Sequence, residues 1–143
     1  MLILMFIIAA AVFTSIAIHY TVLRFSFHWS ARSEWPAQIV FGSVISLVLL
    51  AHSLEVIVFG LGHYATVELA ALGTIEGQFS GDVREYIYFS FVSYTSLGLG
   101  DIYPHGMVRL LTGIEALTGL IMIGWSASFT YLFMNKHWER PDT

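Results

Sequence analysis

The sequence contains no cysteine, which excludes disulfides and thiolate-held metal centres. Charge is also scarce: charged side chains make up 11% of the 143 residues and hydrophobic ones 57%. Soluble domains carry about 25% charged residues. A chain this apolar lacks the polar surface to face water on all sides, so the bilayer is its expected solvent. The formal net charge of −4 is mild and argues against nucleic acid as a partner. Three spanning segments would also leave little length for a soluble catalytic, nucleotide-binding or sensor domain.

The apolar residues fall into runs. Residues 1–24 are expected to form an N-terminal transmembrane helix, since 2–23 is almost unbroken hydrocarbon and about 20 residues cross a ~30 Å bilayer core. A cleaved signal peptide would need a basic n-region, but the first cation is Arg24, at the far end. Residues 25–36 hold His28, Arg32, Trp29 and Trp35 and read as an interfacial linker closed by Pro36, which suits the first turn of a helix. A second module then occupies 37–134. It divides into an outer helix 37–61, an exposed loop 62–82, a short aromatic helix 83–94, a glycine-rich run 95–101 and a last spanning helix 107–134. Residues 135–143 form a polar tail with Lys136, His137, Trp138 and Arg140.

Basic residues at span ends set orientation. Arg24, Arg32, Lys136 and Arg140 fall on one side; Arg84 and Arg109 lie opposite, among Glu68, Glu76, Asp82, Glu85 and Asp101. The first side is expected to be cytoplasmic, the N-terminus outside, and 83–106 to dip in from outside. Trp29, Trp35 and Trp138 read as interfacial anchors.

A helix too short to span, then a glycine-rich run, then a full span is a costly arrangement in a membrane. Irregular backbone survives at that depth only where protein buries it or it lines water. An ion path gives such backbone a use, because successive carbonyl oxygens can replace the hydration shell of a cation. Aiming them inward needs alternating conformations that include positive φ, hence glycine. Gly98-Leu99-Gly100 alone is a common turn pattern. Its context is specific: a hydroxyl residue, an aliphatic residue, Gly-x-Gly and then Asp.

Tyr88 through Asp101, including Thr95-Ser96-Leu97-Gly98-Leu99-Gly100, resembles the pore helix and selectivity filter of the pore-loop potassium channels. The helix after it, with Gly113, Gly119 and Gly124, is similar to an inner helix of that superfamily. The small prokaryotic ion-channel proteins with one pore loop look closest, and the resemblance covers about residues 37–134. It implies an all-α membrane protein with three transmembrane helices, a re-entrant pore helix and a filter shared by a homotetramer. It also implies that backbone carbonyls of Thr95 to Leu99 face the ions, with K+ held by Ser96, Leu97, Gly98 and Leu99, and Ser96 adding its hydroxyl. Asp101 would sit behind the outer mouth and accept a hydrogen bond from Tyr88. Two positions depart from the usual motif. Leu99 stands where tyrosine is common, as in some two-pore-domain channels, and removes a hydroxyl brace; Ser96 stands for threonine and removes a methyl.

Ionisable groups within spans usually face protein. His52 and Glu55 share a helix face. At 1.5 Å per residue, His52 lies about 24 Å from the cytoplasmic end and Glu115 about 12 Å from the outside, level with the short helix. These three are expected to brace that helix by hydrogen bonds; pH-dependent gating and a metal centre are the alternatives. His105 lies beside the outer mouth, as a pH sensor or an ordinary turn histidine. His19, His28, His63 and His137 lie near span ends and are assigned no role. Gly119 and Gly124 are candidate gating hinges or close-packing positions.

No span carries the regularly spaced arginines of a voltage sensor. The expected function is passive K+ conduction, leak-like or gated at the filter, with no enzymatic activity and no cofactor beyond the permeant K+ ions. The expected location is the plasma or inner membrane. A weakly selective Na+/K+ channel, a non-conducting membrane interaction subunit and an intramembrane metalloenzyme are the rival readings.

Overall fold

The computed structural model describes residues 1–138, with side chains described through Asn135. The elements are α1 (Leu2–Arg32), α2 (Ala37–Tyr64) continued by a π-helical turn (Ala65–Leu69), β1 (Gly73–Gly77), α3 (Val83–Tyr94), β2 (Ile102–Gly106) and α4 (Val108–Trp138). Three stretches are long and apolar enough to cross a membrane: Leu2–Arg32, Ala37–Leu69 and Val108–Asn135. The protein is thus a helical membrane protein, with α3 as the short helix expected over the same residues.

The helices pack through narrow stripes. On α1 the buried residues are Leu4, Ala11, Ser15, His19, Leu23, Ser26 and Ser30, which recur every three or four positions and so share one face. Most are small, letting backbones approach where no water is available to drive association. The facing stripe on α2 includes Val40, Val44, Val48, Ala51, Glu55 and Phe59. One apolar cluster takes Leu4 and Ala11 from α1, Val56 and Phe59 from α2, Tyr94 from α3, and Leu111 and Met122 from α4. The C-terminal end of α3 is therefore held among all three long helices.

Three boundaries differ from expectation. The linker expected over 25–36 shrinks to 33–36, because α1 runs on to Arg32. Nothing before Pro36 breaks a helix, and a helix satisfies its own backbone groups at a membrane boundary. The loop expected over 62–82 begins as helix and π-turn, in which Thr66 Oγ1 donates to the Gly62 carbonyl at 2.8 Å; Ala71, at φ 49°, ends the run.

The third difference is a small antiparallel sheet. β1 pairs with β2 from Gly73 opposite Gly106 to Gly77 opposite Ile102. Its inward residues, Ile75 and Ile102, pack with Tyr86, Phe89 and Val108. Pro104 is tolerated because the two-stranded sheet has only edges, where a missing N–H need not break a ladder. The tail residues Lys136, His137, Trp138 and Arg140 lie outside the described side chains.

Candidate functional site

Asp82 caps α3: its Oδ1 accepts from the Arg84 backbone N–H at 2.8 Å, satisfying a donor that the helix start leaves free. Its Oδ2 also pairs with Arg84 Nη2 at 2.9 Å. These contacts hold the Asp82 carboxyl below its ordinary value and raise the Arg84 guanidinium. At the other end, the N–H groups of Thr95, Ser96 and Leu97 donate to the carbonyls of Phe91, Ser93 and Val92 at 3.2, 3.0 and 3.0 Å. The first residues of the glycine-rich run are thereby tied to the helix.

Beyond that point φ alternates in sign. Ser96, Gly98 and Gly100 have φ of 55°, 57° and 80°, whereas Leu97 and Leu99 are not positive. Such alternation is the backbone condition for successive carbonyls to face one side of a run. A Cβ on Gly98 or Gly100 would meet nothing within 4 Å, so glycine is required there for its dihedrals and not for room. Ser96 adopts positive φ with a side chain, at a cost of roughly 1–2 kcal/mol. The side chains of Leu97 and Leu99 are exposed in the single chain.

The outer end of the run is also anchored. Tyr88 Oη donates to Asp101 Oδ2 at 2.8 Å, and the Gln78 N–H donates to the Asp101 carbonyl at 2.9 Å. β2 begins at the next residue. His105 sits in β2 and not in a turn; its Nε2 lies 3.7 Å from Glu76 Oε2 across the strand pair, and both are exposed.

Behind α3 lie two buried polar clusters. In one, Glu55 Oε1 is 2.9 Å from His19 Nδ1, Glu55 Oε2 accepts from the Tyr94 hydroxyl, and His52 Nδ1 is 3.0 Å from that hydroxyl. The Nε2 atoms of His52 and His19 reach the same Ser126 Oγ, at 3.0 and 3.2 Å. In the other, His63 Nε2 lies 2.6 Å from Glu115 Oε2. Ser90 Oγ contacts Glu115 Oε1 and sits 2.7 Å from the Val56 carbonyl. His52, Glu55 and Glu115 therefore all have contacts leading to α3. A further link joins Tyr86 Oη to Glu68 Oε1 at 2.6 Å.

The reading that gave His19 and His63 no role is corrected by these contacts, since both are almost wholly buried and each meets a buried carboxylate. Depth alone misjudged them. The usable signal was charge arithmetic: a buried carboxylate needs a partner, and histidines on the inward stripes are the candidates. His28 fits the earlier reading better, with Nδ1 2.8 Å from the Arg24 carbonyl on an exposed face. Gly119 packs tightly, because a Cβ there would overlap the Tyr94 carbonyl oxygen; Gly124 has open space around it.

A short helix and a glycine run thus lie between two helices long and apolar enough to span. Residues 51–136 match a family model described as ion channel. That match covers more than half of the chain, which belongs to this family of pore-loop ion channels. No curated protein matches the chain. Membership makes it a membrane-embedded ion channel.

Proposed function

We propose that four copies of this chain surround one axis and conduct K+ passively through the backbone carbonyls of residues 95–100. The observation that carries this reading is the alternation of φ over Ser96–Gly100, in a run anchored at both ends. A dehydrated K+ is stabilised when carbonyl oxygens replace its water shell. One run supplies only one wall of such a cage, so four are needed to enclose the ion. Thr95, Ser96, Leu97, Gly98, Leu99 and Gly100 are the filter in this reading, with K+ held by Ser96 through Leu99.

Tyr88 and Asp101 support the filter from outside, while His52, Glu55 and Glu115 brace α3 from behind. Gly119 serves packing, because its contact with the Tyr94 carbonyl leaves no slack for a hinge; a bend at Gly124 would meet no such obstacle. The distribution of basic residues at span ends favours an N-terminus outside and a C-terminus in the cytoplasm, in the plasma or inner membrane. Leak-like or filter-gated conduction follows from the lack of an arginine series.

A second reading, weakly selective Na+/K+ conduction, is favoured by Leu99, whose exposed aliphatic side chain gives the filter wall no hydroxyl brace. Reversal potentials across liposomes holding the purified protein, in mixed K+ and Na+, separate the two. Selective conduction predicts a potential that follows the K+ gradient, with block by Ba2+. A potential indifferent to exchange of K+ for Na+ selects the second reading, and no alkali-ion flux at all overturns both. Tyr88→Phe is expected to move the reversal potential toward that of a nonselective pore by releasing Asp101.

A further inference from the structure

The cluster around Glu55 has more donors than bracing requires, and they converge. Four side chains point at one another: His19 Nδ1 and Glu55 Oε1 at 2.9 Å, His52 Nδ1 and Glu55 Oε2 at 3.4 Å, and the Tyr94 hydroxyl 3.0 Å from His52 Nδ1 and in contact with Glu55. The ligand atoms offered by His19, His52 and Glu55 all lie within 4.8 Å of one another. Ligands around a tetrahedral zinc-type ion, at bond lengths near 2.0–2.1 Å, sit about 3.3 Å apart. The two histidine–carboxylate spacings, 2.9 and 3.4 Å, are close to that.

The other ring nitrogens are placed as metal-ligating histidines require. Both Nε2 atoms meet Ser126 Oγ, at 3.0 and 3.2 Å. A histidine bound to metal through Nδ1 keeps a proton on Nε2 and donates it to an outer oxygen, which fixes the ring. One hydroxyl oxygen with two lone pairs accepts from both rings.

Proton counting gives an independent argument. Without a metal, Tyr94 donates to Glu55, so His19 and His52 must each carry a proton on Nδ1 to complete their contacts. Ser126 has one proton to give and can serve only one Nε2, so the cluster needs one proton more than two neutral rings and an ionised Glu55 supply. No lysine or arginine among the described residues contacts Glu55. A divalent cation bound in place of that proton completes the same set of contacts with both rings neutral. The Glu115 cluster has one histidine and one serine beside its carboxylate, too few donors to do the same.

We propose that His19, His52 and Glu55, with the Tyr94 hydroxyl as fourth donor, form an intramembrane site for a zinc-like divalent transition-metal ion. The site ties α1, α2 and α3 together at the residue that leads into Thr95. The carboxylate and two ligands are buried, while His52 is partly exposed and is the side from which an ion enters. Imidazole and carboxylate together suit zinc, copper or nickel, whereas hard cations such as Mg2+ prefer oxygen alone. This inference does not depend on which ion the pore conducts.

The test is Co2+ titration of the purified, chelator-stripped full-length protein in detergent, near neutral pH. One Co2+ per chain, with the intense visible bands of a tetrahedral site and displacement by Zn2+, is expected. His52→Gln should abolish those bands. Ser126→Ala, which removes no metal-bound atom but takes away the oxygen both Nε2 atoms meet, should weaken binding about 10–100-fold while leaving the assembled mass unchanged. Absence of tetrahedral bands in the wild-type protein means that the cluster holds only a proton, and overturns the proposal. Bands that persist in His52→Gln belong to other histidines and overturn it too. Should His52→Gln fail to fold, equal Co2+ affinity in wild type and Ser126→Ala has the same consequence.

Discussion

Glu115 and His63 show how much a single pair can carry inside a membrane protein. Both are completely buried, and their 2.6 Å contact is the only ion pair the described residues offer that carboxylate. Leaving one charge of a buried pair without its partner costs about 3–5 kcal/mol. His63→Ala is therefore expected to lower the midpoint of thermal unfolding in detergent, followed by circular dichroism, and His63→Ala with Glu115→Gln should regain part of the loss. An unchanged midpoint in the single variant would remove the pair from the account of stability. The Tyr88–Asp101 bond was readable in the sequence because the filter motif fixes the spacing of its partners. The His63–Glu115 and His19–Glu55 pairs were not, because 52 and 36 residues separate their members and only helix packing brings them together.

At the scale of elements, α3 was legible from end to end. An aromatic run too short to span and a glycine stretch after it mark the helix in the sequence, while the cap at Asp82 emerges from the structure. The strand pair was hidden for the opposite reason: five residues on each side, joined across the whole of α3 and the glycine run, leave no local period to read. The cap itself gives a pH-dependent outcome. Arg84 holds Asp82 below the usual carboxylate value of 3.8, first through its side-chain hydrogen bond. A group whose folded pKa is depressed stabilises the fold above its unfolded pKa, and that contribution is lost as pH falls through the folded value. Thermal stability measured from about pH 5 down to about pH 2 should thus fall less steeply for Asp82→Asn than for wild type. Parallel acid limbs would show that the cap charge contributes nothing.

For the whole molecule, composition alone identified the solvent: a chain with 11% charged residues had to be a membrane protein. What composition could not say is how many copies assemble, because in the proposed channel closure is made between chains. A single chain leaves Leu97 and Leu99 exposed, together with Leu117, Leu120, Ile121, Ile123 and Leu132 on α4. In the assembly we propose, part of that surface meets neighbouring copies and part meets lipid. Native mass spectrometry from detergent should find about four times the 16.0 kDa chain mass. A stable monomer or dimer as the conducting species would contradict a shared filter.

Tyr94 occupies an unusual mechanical position. Its hydroxyl is held by Glu55, Glu55 is held by His19, and His19 rides on a helix most of whose surface is exposed in the single chain. In the assembly proposed above, a change in bilayer thickness or lateral tension that leans this helix is delivered, through a single carboxylate, to the start of the proposed filter. The surrounding lipid would then have a lever on that filter without touching it.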